Sequence, residues 1–393
     1  MNQTYTPKFQ EEYSAKIPAL TLLTSLGWTF LSPKQIMDYR GYKQDEVVLR
    51  PVLREELSKR SFMAGGKTCQ LSEKALDNLI SQVCSPALNE GLLKANERMY
   101  NHLLYGIAVT EFVDGKKVNP TIALIDWEHP ENNQFHFTEE FTVLRSGGVE
   151  TRRPDIVCFV NGIPLAVIEA KSPAGHGKKG PTIDEGISQS IRNQLNDEIP
   201  QLFVYSQLLL SINGHDGRYG TCHTPMKFWA AWREEDITDP QMYALRNHPL
   251  STEQIHALFD HRPSVDLKWY QQLIDGGELA VSGQDKLLIS LLSPERLLEM
   301  TRFFTLFDKK TGKIVARYQQ VFGIKRLLER ISTRRPDGGR EGGVIWHTTG
   351  SGKSYTMVFL SKALILHDSL KQCRIVVVTD RVDLEGQLSG TFV

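Results

Sequence analysis

The stretch from Asp155 to Lys171 constrains the fold more than any other part of the sequence. Two apolar runs flank Asn161-Gly162, a pair that favours a tight hairpin because both residues tolerate the positive φ angles of the turn. The second run, 163–168, is apolar at consecutive positions, which predicts a strand buried on both faces. The sequence therefore predicts a central hairpin within a sheet, with Glu169 and Lys171 at the end of its second strand.

Two carboxylates and a lysine at the end of a buried strand suggest a site for a divalent cation, because buried charge is expensive unless it is paired or coordinates a metal. Oxygen ligands from Asp155, Glu169 and a main-chain carbonyl suit Mg²⁺. Such an ion can activate water and stabilise developing charge when a phosphodiester is cut, and the ammonium of Lys171 can assist. A structural Glu–Lys pair is the alternative, but the preceding Arg152-Arg153-Pro154 favours the site.

The register of the hairpin decides whether the two carboxylates can share one cation. A strict two-residue turn at Asn161-Gly162 would direct Asp155 and Glu169 to opposite faces, since side chains alternate along a strand. A three-residue loop or a β-bulge shifts the register and puts both on the same face. We therefore expect one of these two irregularities.

A second strong feature is the glycine loop His347–Ser354, which follows an apolar segment and precedes an amphipathic one. Gly350 and Gly352 allow the main chain to direct its N–H groups at phosphate oxygens. Lys353 can reach the β- and γ-phosphates, and Ser354 can bind Mg²⁺. The loop therefore predicts an ATP-binding site, and a chance glycine turn is the alternative.

The periodicity of the first 240 residues predicts a mixed sheet flanked by helices. Apolar residues recur at helical spacing up to about residue 101, and short β-rich segments follow from Gly106. After the hairpin, the pattern predicts a helix over 184–194 and a strand over 202–205. The protein is therefore expected to belong to the α/β class.

The remainder of the chain predicts a helical segment and then a parallel α/β unit. The stretch from Asp239 to about Leu306 has helical character. A strand over 344–346, a helix over 354–367 and a strand over 375–378 surround the glycine loop. Strand, helix and strand in this order form a βαβ unit with a parallel sheet.

Composition limits the classes of protein that fit. The 46 basic and 46 acidic residues give a formal net charge of zero, so a DNA-binding surface must come from local clustering of charge. The five cysteines are scattered and form no CxxC motif, which indicates a reduced, cytoplasmic protein. The first residues have no signal-peptide pattern, and no apolar run is long enough to span a membrane.

The hairpin residues resemble the signature of the PD-(D/E)xK nucleases. Pro154-Asp155 matches the PD, and Glu169-Ala170-Lys171 matches the ExK. The resemblance implies a PD-(D/E)xK fold in which Asp155, Glu169 and Lys171 are catalytic, and in which Asp155 and Glu169 bind Mg²⁺.

The following helix resembles part of a second nuclease motif, QxxxY. Gln189 stands at the Gln position, which implies a catalytic role beside the cut site, whereas Asn193 replaces the Tyr. The superfamily often has a further acidic residue on an early helix. Glu90 and Glu97 are candidates, but a solvated helix face explains each of them better, so neither is assigned to the site.

The glycine loop resembles motif I of superfamily 2 helicases, and its neighbours resemble two further motor motifs. Gln319 matches the glutamine of a Q motif, which binds adenine, and Arg381 lies in a segment similar to motif Ia, which contacts DNA. The resemblance implies that ATP is bound by Gln319, Thr349, Gly350, Ser351, Gly352, Lys353 and Ser354.

The combination of both segments resembles the N-terminal part of the R (HsdR) subunit of type I restriction-modification enzymes. It implies an endonuclease domain at 1–240, a helical connector at 241–310 and the first part of a RecA-like motor domain at 311–393, so that the chain is expected to be a fragment of a longer subunit. It also implies Mg²⁺-dependent cleavage of double-stranded DNA, coupled to ATP-driven translocation, in a complex with methyltransferase (M) and specificity (S) subunits.

Two other functions remain open at this point. A RecB-like repair enzyme also combines a nuclease with a motor, and its downstream motor motifs would identify it. A catalytically silent DNA-binding or assembly module is the alternative from another class. Mg²⁺-dependent cleavage that is lost when Lys171 is changed would exclude a silent module.

Overall fold

The computed structural model of the chain describes residues 10–173, 182–348, 350, 352–367, 370 and 373–378. Within these ranges, no helix is both long enough and apolar enough to cross a membrane. All five cysteines are free thiols, which agrees with the expectation of a reduced protein.

The chain contains short strands and longer helices. The strands are β1 (Thr29–Phe30), β2 (Ser61–Ala64), β3 (Lys67–Gln70), β4 (Ile107–Ala108), β5 (Glu111–Val113), β6 (Lys116–Val118), β7 (Thr121–Ile122), β8 (Phe135–Glu139), β9 (Val143–Leu144), β10 (Thr151–Arg152), β11 (Ile156–Val160), β12 (Ile163–Ala170), β13 (Leu208–Ile212), β14 (Gly217–Gly220), β15 (Thr305–Asp308) and β16 (Gly312–Val315). The helices are α1 (Ile17–Ser25), α2 (Pro33–Tyr39), α3 (Arg50–Ser58), α4 (Glu73–Cys84), α5 (Leu92–Tyr105), α6 (Thr182–Asn193), α7 (Pro200–Phe203), α8 (Asp239–Arg246), α9 (Thr252–Phe259), α10 (Ser264–Asp275), α11 (Gly283–Leu292), α12 (Pro294–Phe303), α13 (Tyr318–Ser332) and α14 (Lys353–Leu366). A π-helical turn, Glu12–Lys16, leads directly into α1.

A six-stranded mixed sheet forms the centre of the first part of the chain, with the strand order β1-β8-β11-β12-β13-β14. β1 runs parallel to β8 and β12 runs parallel to β13, whereas β8–β11, β11–β12 and β13–β14 are antiparallel. Every residue of β11, β12 and β13 is buried. The predicted mixed sheet with a buried central hairpin is therefore confirmed.

The hairpin between β11 and β12 combines a two-residue turn with a β-bulge. Asn161 and Gly162 have φ angles of 52° and 79°, as a tight turn of this type requires. The register then shifts because Phe159 pairs with Pro164 but Cys158 pairs with Ala166. Proline has no N–H for the ladder, so a bulge next to Pro164 is physically reasonable. Of the two expected irregularities, the bulge is confirmed and the three-residue loop is not formed.

Helix α6 packs unusually close to the sheet at Gly186. A Cβ atom at this position would lie 2.3 Å from Ser211 Oγ and 3.4 Å from Glu169 Cβ. Glycine therefore lets the helix approach β12 and β13 closely enough for its next turn to reach the end of β12. The helix predicted over 184–194 is confirmed.

The strand predicted over 202–205 is wrong, because this segment contains the short helix α7 and the turn that follows it. Pro200 occupies the first turn of α7, where a missing N–H costs nothing. The buried amide of Asn96 donates hydrogen bonds to the carbonyls of Phe203, Val204 and Ser206. These contacts come from helix α5 and hold a conformation that the local apolar pattern does not specify.

The helical character predicted for 239–306 is confirmed by helices α8 to α12. Helix α11 packs against α1, and Trp28 Nε1 donates a hydrogen bond to the carbonyl of Leu292 at 2.7 Å. These helices therefore lie against the body that contains the sheet.

In the last part of the chain, helices α13 and α14 pack against each other. The helix predicted over 354–367 is confirmed by α14. Residues 344–346 and 375–378 are described, but neither segment is assigned to a strand. Val344 and Trp346 are 95% and 92% exposed, so they lack the neighbours that a central parallel strand needs. The predicted parallel RecA-like sheet is thus not formed among the described residues.

Candidate active site

The hairpin brings Asp155 and Glu169 face to face. Ile156 pairs with Ile168, so extending the register by one residue sets Asp155 opposite Glu169 on the same face. Asp155 is 9% exposed and Glu169 is fully buried, and the two carboxyl groups lie close enough for the charge of Asp155 to act on Glu169. Two carboxylates this close repel each other, and a cation between them would relieve that repulsion.

Lys171 lies at the edge of this carboxylate pair. Its Nζ is 3.5 Å from Asp155 Oδ2 and donates a hydrogen bond of 2.8 Å to the carbonyl of Ala170. The N–H of Ala170 donates to Asp155 Oδ2 at 2.8 Å. The ammonium group, a main-chain carbonyl and a carboxylate therefore meet at the end of β12.

Helix α6 supplies two amides to Glu169. Gln189 Nε2 donates to Glu169 Oε2 at 2.7 Å, and Asn193 Nδ2 lies 3.5 Å from Glu169 Oε1. The structure thus brings Gln189 together with Asp155, Glu169 and Lys171. Asn193, which departs from the motif, also faces the buried carboxylate.

The electrostatics of the pair fit a divalent cation. Complete burial raises the pKa of Glu169 well above its ordinary value, and the adjacent charge of Asp155 raises it further. Among the described residues, no cluster of three or more His, Cys, Asp or Glu side chains could hold a metal ion. An ion here would therefore be held by Asp155, Glu169 and further oxygen ligands, such as the carbonyl of Ala170 and water, which is a donor set that suits Mg²⁺.

Glu11 is a further acidic residue near the pair, and sequence reasoning missed it. Burial raises the pKa of Glu11, the charge of Lys171 lowers it, and the charge of Asp155 raises it. The candidate Glu90, just before helix α5, instead forms an ion pair with Arg98. The candidate Glu97, on α5, forms one with Lys94. No local pattern singles out Glu11, because its proximity to the site arises only when the start of the first helix packs against the sheet.

The glycine loop borders a cavity of about 330 Å³. Gly350 and Gly352 line the cavity, and both have positive φ angles, 79° and 84°. Lys353 is exposed at the first turn of α14, and Ser354 follows it half-buried. Thr349, Ser351 and Arg381 lie outside the described residues. The structure therefore places the described part of the loop at a helix N-terminus beside an open cavity, which is where phosphate groups bind.

In the described part of the glycine loop, Gly352 is contacted by Gln320. Gln320 lines the cavity and its Nε2 donates to the carbonyl of Gly352 at 3.2 Å. Gln319 does not line the cavity, and its buried Oε1 has no hydrogen-bond partner among the described residues. The two adjacent glutamines cannot be distinguished in the sequence, because the motif match alone does not fix which side of α13 faces the loop.

One wall of the same cavity comes from the loop after β14, which belongs to the first part of the chain. Thr224, Pro225 and Phe228 line it opposite Tyr355 of α14. Phe228 is 48% exposed, so its ring is available to a planar ligand. No sequence motif points to this loop, which lies about 120 residues before the glycine loop.

Comparison with known protein families gives two matches. Residues 8–228 match the family model for the N terminus of type I restriction enzyme R proteins. Residues 319–393 match the model for SWI2/SNF2 ATPases. The first match covers the sheet, α6 and the carboxylate pair, and the second covers most of α13, the glycine loop and α14.

Individual relatives also carry the names of type I restriction enzyme endonuclease subunits. The type I restriction enzyme HindI endonuclease subunit of Haemophilus influenzae is 31% identical over 388 residues, which cover 96% of this chain and 32% of the relative. A protein of Methanocaldococcus jannaschii, provisionally named type I restriction enzyme MjaIXP endonuclease subunit, is 27% identical over 405 residues, which cover 98% of this chain and 34% of the relative. The chain therefore spans about a third of the length of these relatives. The protein belongs to the family of type I restriction enzyme R proteins and corresponds to their N-terminal part.

Proposed function

We propose that this chain carries the endonuclease site of a type I restriction enzyme and that the site cuts double-stranded DNA with Mg²⁺. In the full-length subunit, cutting is coupled to ATP-driven translocation of DNA. The subunit acts in the cytoplasm in a complex with M and S subunits, and the S subunit selects the recognition sequence. The boundaries proposed for the nuclease, connector and motor segments remain 1–240, 241–310 and 311–393.

The observation that carries this proposal is that Asp155 and Glu169 face each other on the same side of the buried hairpin. A purely structural sheet has no reason to place two carboxyl groups side by side on buried strands, because their repulsion and desolvation both oppose folding. The nearby Lys171 and the two amides on Glu169 provide further polar groups where a phosphodiester would react.

Each side chain has a defined task in the proposed reaction. Asp155 and Glu169 bind the cation, and Gln189 holds Glu169 in the orientation that the cation needs. Lys171 is placed to orient the attacking water or to stabilise negative charge on the phosphate. When bound, Mg²⁺ would activate water and neutralise charge that develops on the phosphorus oxygens.

The cavity beside the glycine loop is the proposed ATP site. Main-chain N–H groups of 349–354 and the ammonium of Lys353 bind the phosphates, and Ser354 binds their Mg²⁺. The match to SWI2/SNF2 ATPases supports this assignment. Gln319 was predicted to bind adenine, and the position of Gln320 on the cavity wall makes Gln320 the better candidate.

The test is a separation of the two activities in the full-length subunit assembled with its partners. Lys171→Ala should reduce DNA cutting by at least about a hundredfold and leave ATP hydrolysis unchanged, since loss of one charge-stabilising group typically costs that much. Lys94→Ala, which removes an exposed lysine paired with Glu97, is the control and should affect neither activity. Wild-type cutting by the Lys171→Ala enzyme would refute the nuclease site and favour a silent module.

A further inference from the structure

Asp155 is held in place through its main chain by the end of the neighbouring strand β8. The N–H of Glu140 donates to the carbonyl of Asp155 at 2.9 Å, and the N–H of Phe141 donates to the carbonyl of Pro154 at 3.1 Å. Glu139 pairs directly with Ile156 in the sheet. The position of Asp155 therefore depends on the conformation of residues 139–141.

That conformation needs external support at Glu140. Its φ angle is 53°, in the left-handed region that non-glycine residues rarely adopt and that persists only when the surroundings hold it. The carboxylate of Glu140 pairs with Lys16, beside the first helix, and with Arg153, two residues before Asp155. Ion pairs thus fix an unfavourable main-chain conformation directly beside the proposed cation site.

Glu139 is the buried centre of the same network. It is 3% exposed, and its carboxylate contacts Arg262, His261 at 2.8 Å and Lys16 at 3.4 Å. Burial acts to raise the pKa of Glu139, but the hydrogen bond to His261 and the charges of Arg262 and Lys16 outweigh it, so the pKa lies below its ordinary value. The carboxylate is therefore kept ionised by groups from other elements.

Arg262 connects this network to the helical segment. It lies between α9 and α10, its side chain is only 7% exposed, and it contacts the carboxylates of Glu12, Glu139 and Asp266. Removal of its charge would leave buried carboxylates with too little compensation, so Glu139 would bind a proton or move. Lys16 pairs with Glu12, Glu139 and Glu140. It would then move toward Glu12 and Glu139, and Glu140 would lose part of the ion pairing that holds its main chain.

We propose that Arg262 is a positioning residue for Asp155, acting from the helical segment through Glu139 and Glu140. This inference rests on the proposed cation site, since it concerns how well Asp155 binds Mg²⁺. It assigns to the helical segment, which would otherwise be a spacer, an indirect influence on the nuclease site. Residues that orient metal ligands strongly affect metal affinity, so a change in the position of Asp155 should change how tightly Mg²⁺ is bound.

The chain offers a closely matched control. Arg296 of α12 is also 7% exposed in its side chain, and it contacts the carboxylates of Glu234, Asp236 and Glu299. Among the described residues, it forms no hydrogen bond or ion pair with residues 139–141 or with the carboxylate pair. Arg262→Gln and Arg296→Gln should therefore lower the melting temperature by similar amounts, whereas only Arg262→Gln should change metal binding.

The experiment measures Mg²⁺ binding to the 393-residue chain by isothermal titration calorimetry, with Asp155→Asn as the reference for loss of the site. We expect Arg262→Gln to weaken Mg²⁺ binding by about tenfold or more, the typical effect of losing a group that orients a metal ligand. Arg262→Lys, which keeps the charge, should weaken it less, and Arg296→Gln should leave it unchanged.

Two results would overturn the inference. One is unchanged Mg²⁺ affinity in Arg262→Gln, and the other is an equal loss in Arg296→Gln, which would indicate general destabilisation. If Arg262→Gln does not fold, the comparison between Arg262→Lys and Arg296→Lys decides in the same way. Failure of the wild-type chain to bind Mg²⁺ would refute the proposed cation site itself, and this inference with it.

Discussion

Lys313 of β16 is a buried lysine without a carboxylate partner among the described contacts, and it makes a specific prediction about stability and pH. It is 3% exposed, and its Nζ donates to the carbonyl of Ser206 at 2.9 Å and to Gln207 Oε1 at 2.7 Å. The rings of Tyr100 and Phe307 lie 5.8 and 5.5 Å from Nζ. Burial lowers the pKa of Lys313 from 10.5 to about 8.

The sign of the effect follows from counting protons. Between about pH 8 and 10.5, Lys313 is neutral in the folded chain and protonated in the unfolded chain. The unfolded state then binds one more proton, so the free energy of unfolding rises with pH by about 1.4 kcal/mol per pH unit. Between pH 8 and 10.5, the contribution of Lys313 to the free energy of unfolding should therefore increase by about 3 kcal/mol.

The assay is urea denaturation of the wild-type chain and of Lys313→Met at several pH values from about 7 to 10. Between about pH 7 and 10, the difference in free energy of unfolding between the two should change by about 2.5 kcal/mol in favour of the wild type. Lys286→Met removes an exposed lysine paired with Asp239, and it should give a nearly constant difference. A constant difference for Lys313→Met would refute the assignment of a neutral buried lysine.

Three further predictions concern the two sites. Lys353→Ala should abolish ATP hydrolysis and ATP-dependent cutting by the full-length enzyme, while calorimetry should find Mg²⁺ binding at the carboxylate pair unchanged. Gly186→Ala should destabilise the chain by about 1–3 kcal/mol in urea denaturation, because its new Cβ overlaps Ser211 Oγ. Combining it with Ser211→Ala should recover part of that loss. If the free-energy effects of the two substitutions simply add, the clash is contradicted. Phe228→Ala should raise the KM for ATP several-fold with little change in kcat, whereas Phe228→Trp should retain a normal KM.

The hairpin and its bulge were predictable because both depend on local chemistry. Asn161-Gly162 specifies the turn, and the apolar run after it specifies a buried strand. The requirement that Asp155 and Glu169 share a face predicted an irregularity in the register. Pro164 could also have located the bulge, since a proline in a central strand is tolerated mainly where the ladder is interrupted.

Contacts between distant segments account for what the sequence did not predict. Helix α7 depends on hydrogen bonds from Asn96, and Glu11 reaches the site only after the first helix has packed. Gln319 and Gln320 have the same side chain, so only the packing of α13 distinguishes them. The apolar pattern at 344–346 predicts a strand. A strand forms, however, only where a neighbouring strand accepts its hydrogen bonds.

The bulge also determines how the length of this hairpin can vary within the family. Across a strict two-residue turn, residues that face each other are separated by an odd number of positions, whereas Asp155 and Glu169 are separated by an even number. The extra residue, Leu165, supplies the difference. A relative with an odd separation should therefore have a regular hairpin, and a relative with an even separation should have a bulge or a three-residue loop. Counting residues between the two carboxylates is then enough to predict the shape of the hairpin from sequence.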